Sequence, residues 1–96
     1  MKYKALPRLL LAVAATAAVQ IENFQFSPAR IEIAAGDTVT WSNKDDEIHA
    51  LASDDGAFHS GGLEGDTVFS HTFEKPGTYP YRCTLHPQMT GTIVVH

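Results

Sequence analysis

Cysteine occurs once in this 96-residue chain, as Cys83, and a histidine and a methionine follow it at equal intervals. The segment Tyr81 to Met89 reads YRCTLHPQM, which sets Cys83, His86 and Met89 three residues apart. A thiolate, an imidazole and a thioether are soft or borderline donors, and together they suit a thiophilic metal. Pro87 narrows the backbone choices of the loop and of His86 before it.

One thiolate and one imidazole do not close a site, so a further donor has to come from elsewhere. His49, in DDEIHALAS, lies 34 residues before Cys83, just after an apolar strand and an acidic turn. A thiolate, two imidazoles and a weak thioether form the donor set of a blue-copper electron-transfer site. Structural zinc recruits Cys and His in a closed tetrahedron and gains little from a thioether. A Cys-His pair can also be a nucleophile with its base, but no orienting third group is evident for one here.

These donors need strands to hold them, and the alternation supplies strands. In RIEIAAGDTVTWSN, Ile31 and Ile33 share a face, a turn falls at Gly36-Asp37, and Val39 and Trp41 share a face opposite Thr38, Thr40 and Ser42. VFSHTF from Val68 to Phe73 and TIVVH at the C-terminus repeat the pattern, and IENFQFSP reads as a first strand ending at Pro28. Period-two patterning of this kind marks half-buried strands. GTYPYRC places Tyr79, Tyr81 and Cys83 on one face, so Cys83 ends a strand pointing inward. SDDGAFHSGGLEGD, rich in Asp, Gly and Ser, reads as a loop. Seven to eight short strands predict a two-sheet antiparallel β-sandwich of Greek-key type.

The N-terminus reads differently. Lys2, Lys4 and Arg8 precede an apolar run from Leu9 to Val19 that ends in small residues, the layout of a secretory signal peptide. We expect residues 1–17 to be this leader and 18–96 the working domain, exported or periplasmic, monomeric and not held in the membrane once processed. Removing 1–17 takes three of the seven Lys and Arg and none of the eleven Asp and Glu, which leaves four against eleven and a net charge of −7. Such a surface excludes nucleic acid, which is held by Lys and Arg on phosphates, and steers toward basic partners. Export also makes a single unpaired thiol informative, because disulfide pairing does not account for it.

The stretches GDTVTWSNKD, leading into His49, and PGTYPYRCTLHPQMTGTIVV resemble the cupredoxins, most closely the short-loop members typified by amicyanin and plastocyanin. The resemblance covers nearly everything after the leader. It implies one type 1 copper ion, with His49, Cys83 and His86 in a plane and Met89 as the long axial donor. It also implies that His86 opens to the surface through an apolar patch, which Leu85 and Pro87 can form, and that redox donors and acceptors dock there. Two positions depart from the family: Ala50 stands where Asn is frequent and Ile48 where Pro or Gly is common. Ala50 keeps a backbone N–H for the Cys83 sulfur but has no side-chain brace. The expected function is single-electron transfer, without catalysis of a substrate. A periplasmic copper carrier is the alternative, disfavoured because Met89 is the domain's one methionine, and multicopper oxidase chemistry would need His-x-His pairs that the chain lacks. His59 and His96 read as solvated; His71 stays undecided between partial burial and a strand twist. Asp45-Asp46-Glu47 reads as a solvated turn, with steering of partners as its functional alternative.

Overall fold

A computed structural model describes residues 13–96. Eight strands run β1 (Thr16–Glu22), β2 (Gln25–Ser27), β3 (Arg30–Ile33), β4 (Thr38–Asn43), β5 (Leu51–Ser53), β6 (Val68–Thr72), β7 (Gly77–Cys83) and β8 (Thr90–Val95). They form two four-stranded sheets, ordered β2-β1-β4-β6 and β3-β8-β7-β5. The expected leader lies outside the described residues up to position 12. Its last residues, Thr16 and Ala17, stand in β1 opposite Thr38 and Val39.

The sandwich and its strand number match expectation, but the sheets are mixed and not antiparallel. β1 runs parallel to β4 and β3 parallel to β8. Alternation reports which face of a strand is buried, and it is silent on the direction of the neighbour. Parallel neighbours need a crossover of a dozen or more residues. Here β2 and β3 supply it, as the chain leaves β1, passes into the second sheet at β3 and returns as β4.

The single strand expected through IENFQFSP is instead a hairpin. Asn23 and Phe24 both take left-handed backbone, φ 57° and 58°, and Ile21 pairs with Phe26 across the turn. Consecutive positive φ values define the tight turn whose twist matches paired strands. Asn tolerates that region, whereas a bulky aromatic there is uncommon.

Between the sheets, Val39 and Trp41 are fully buried and pack with Val19, Ile21, Tyr81, Ile93 and Phe73. The indole Nε1 of Trp41 donates to the Tyr81 hydroxyl at 3.1 Å, which satisfies a buried polar atom on each sheet. Burial pushes the Tyr81 phenol up to about 12, so it stays protonated at any ordinary pH. The Gly- and Asp-rich segment contributes core as well as loop: Phe58 and Leu63 are buried, Phe58 against Trp41. His71 is half-buried, stacked on Phe58 at 5.1 Å and edge-on to Phe73, and burial lowers its pKa.

Gly91 on β8 lies opposite Tyr81, and a Cβ there would overlap the Tyr81 ring. Gly91→Ala is therefore expected to cost about 1–3 kcal/mol by overpacking, measured by urea unfolding. Asp37 ties the segment entering β1 to the β3–β4 turn, accepting from the N–H of Ala15 and of Ala34, both at 3.0 Å. Those two donors hold its carboxyl below the usual range. Because the folded value lies below the unfolded one, this contribution is present above the unfolded pKa and fades as pH falls through the folded one. The gap in melting temperature between the parent and Asp37→Asn should accordingly shrink on acidification from about pH 5 to about pH 2.

Candidate metal centre

Cys83 is the last residue of β7 and is fully buried. Its strand face is set by Tyr81, and its backbone N–H donates to the Met89 carbonyl at 3.0 Å. The loop 84–89 is thereby closed on itself. Met89 N–H donates to the His86 carbonyl at 2.9 Å, and Thr84 N–H reaches across to the Ala50 carbonyl at 2.7 Å. Met89 is 3% exposed, whereas His86 is half-buried and its neighbour Leu85 is 53% exposed.

His49 lies two residues before β5, the strand paired with β7. Its backbone exchanges two hydrogen bonds with Leu63, at 3.1 and 2.7 Å, and its side chain has no solvent exposure. The His49 Nδ1 lies 3.7 Å from the Cys83 Sγ. Ala50 N–H donates to the same sulfur at 3.5 Å, as its position next to His49 had implied. That backbone donor reaches the sulfur without any side chain at position 50.

Asp45 is the residue that sequence reading missed. The expected solvated turn is solvated at Asp46 and Glu47, but the Asp45 side chain is only 11% exposed. Its Oδ2 meets His49 Nε2 at 2.8 Å and accepts from Phe24 N–H at 2.9 Å, while Oδ1 accepts from Asn23 N–H at 2.7 Å. Burial alone would raise this carboxyl, but the Phe24 N–H, the His49 ring and the Asn23 N–H outweigh it, so it stays ionised below its ordinary range. An ionised acceptor on Nε2 places the ring proton there and leaves the Nδ1 lone pair facing Cys83. Buried Asn43 fixes the turn, donating to the Glu47 and Leu63 carbonyls at 2.8 and 2.9 Å and accepting from Asp45 N–H at 2.9 Å. The one available signal was Asp at i against His at i+4, which a charge run obscures.

The His86 ring stands 5.3 Å from the His49 ring, centre to centre. No three His, Cys, Asp and Glu side chains among the described residues are drawn to closed metal-binding spacing. The four expected donors nevertheless converge on one end of the sandwich: His49 on Cys83, His86 on His49, and Met89 through its backbone on both Cys83 and His86. A buried unpaired thiol supplied with an N–H donor, beside an imidazole whose outer nitrogen is already engaged, suits a soft metal.

The Cupredoxin-like domain family model matches residues 8–95, and the chain belongs to that family. Amicyanin of Paracoccus denitrificans is 34% identical over 82 residues, covering 80% of this chain and 63% of that protein. Amicyanin-alpha of Methylorubrum extorquens is 35% identical over 89 residues, covering 88% and 75%. The solved Cu(I) structure of an amicyanin methionine-to-alanine mutant superposes with a TM-score of 0.79 at 29% identity, covering 84% of this chain and 82% of that one. A Cu-containing nitrite reductase from Thermus scotoductus matches over 83% of this chain but 22% of its own, with a TM-score of 0.78 and 32% identity.

Proposed function

We propose that this chain is a small exported blue copper protein that carries single electrons between redox partners, with His49, Cys83, His86 and Met89 holding one copper ion. The observation that carries the reading is the buried Cys83 thiol with His49 Nδ1 at 3.7 Å and the Ala50 N–H on its sulfur. Copper bound there supplies a Cu(II)/Cu(I) couple.

What the protein contributes is restraint. Cys83 is fixed at the end of β7 and His49 by its bridge to Leu63 just before β5, and Asp45 locks the His49 ring from outside. Donors that cannot relax toward the preferred geometry of either oxidation state keep reorganisation small. His86, half-buried beside exposed Leu85, offers the shortest way in for an electron, so partners dock at that end. The burial of His49, Cys83 and Met89 disfavours the copper-carrier alternative, which requires donors that a receiving protein can reach. Among the described residues no helix is long and apolar enough to cross a membrane.

Loading the purified domain with Cu(II) and recording its visible spectrum before and after ascorbate tests the proposal. An intense blue band that bleaches and returns on reoxidation is expected; a weak, pale d–d spectrum would refute it. Met89→Gln should keep copper bound yet lower the reduction potential, because a harder oxygen donor favours Cu(II). Voltammetry checks the sign, and an unchanged potential would make Met89 a packing residue only.

A further inference from the structure

We propose that Phe24 is a positioning residue for the metal centre: its ring, carried on the left-handed β1–β2 turn, fixes the orientation of both imidazoles. This rests on the copper reading above. The geometry is a closed triangle of rings. Phe24 meets His49 at 5.1 Å and 83° and His86 at 4.9 Å and 74°, and the two imidazoles meet each other at 5.3 Å and 66°. All three contacts are edge-to-face, the arrangement that aromatic quadrupoles favour.

The backbone identifies the ring as the purpose of this residue. A turn with two consecutive positive φ values is best served by Asn followed by Gly, and here Phe occupies the second place at φ 58°. A bulky residue persists in that region when its surroundings over-determine it. Asp45 provides that: one carboxylate accepts the N–H groups of Asn23 and Phe24 and also holds His49 Nε2. The turn and the buried imidazole are thus fastened to the same two oxygens. Phe24 gains little from core burial, at 41% exposed against 4% for Phe26 two residues on. Its neighbours are instead the two imidazoles. For His86, on a six-residue connection between β7 and β8, the Phe24 edge opposes outward swing of the ring.

The test compares Phe24→Gly, Phe24→Asn and Phe24→Tyr with the parent, each metal-free and copper-loaded. Gly and Asn both accept the left-handed backbone but remove the ring, so the metal-free melting temperature should stay within a few degrees of the parent. Copper loss to a strong chelator should quicken about ten-fold or more in both, the scale on which outer partners of metal ligands act. The relative intensity of the two thiolate-to-Cu(II) bands should shift as well. Phe24→Tyr should restore both readouts. The proposal is overturned if band ratio and copper loss are unchanged in Gly and Asn, or if they change only as far as metal-free melting falls. A parent protein that is not blue would sink the copper reading itself, and this inference with it, before any variant is compared.

Discussion

Cys83→Ser is expected to abolish the blue colour of the Cu(II)-loaded protein while leaving the sandwich folded. The colour of such a site is charge transfer from a thiolate, and a serine oxygen is a harder donor with no comparable orbital to offer. Serine is close to cysteine in volume, and at this position it faces the Ala50 N–H that now donates to sulfur, so its hydroxyl is not stranded. Metal-free melting should therefore shift little, while visible absorbance in a copper titration collapses to the weak background of an oxygen- and nitrogen-ligated ion. A serine variant as blue as the parent would show that Cys83 is a packing residue and that the metal sits elsewhere.

Asp45→Ala should be the most damaging change outside the four donors. It withdraws one acceptor from three groups, the Asn23 and Phe24 N–H and the His49 ring, of which the last is fully buried. Leaving them unpaired is expected to cost about 2–4 kcal/mol of unfolding free energy. Losing the hold on Nε2 also releases the ring to choose the other tautomer, and copper affinity should drop by about 10–100-fold. Urea unfolding of the metal-free protein reads the first effect, and competition with a calibrated chelator reads the second. Unaltered affinity alongside reduced stability would make Asp45 a brace for the turn alone.

Asp45 also marks where the sequence stops being legible. Cys83, His86 and Met89 announce themselves because three rare donors share one short loop, and Trp41 because strict alternation brackets it. The inward face of β7 followed directly from Tyr79, Tyr81 and Cys83. Asp45 looks like its neighbours Asp46 and Glu47, since one-dimensional composition cannot reveal that the β1–β2 turn folds over it. Phe24 was hidden for a related reason: read as a strand residue, it belongs to a face, whereas its left-handed φ makes it the tip of a hairpin. The parallel pairings were equally out of reach, because β1 and β3 would show the same alternation beside a neighbour of either direction.

Those parallel pairings have a consequence for the order in which the protein assembles. Among the described residues β8 is the last strand in sequence yet lies inside its sheet, between β3 and β7. Until Thr90–Val95 emerges, β3 has no partner, and the loop that carries His86 and Met89 lacks its second anchor. The first sheet can zip from β1, β2, β4 and β6, whereas in the second β5 can pair with β7 but β3 waits for β8. Contacts this distant in sequence fold slowly. The connection that carries His86 and Met89 is therefore held at both ends only once β8 has docked between β3 and β7.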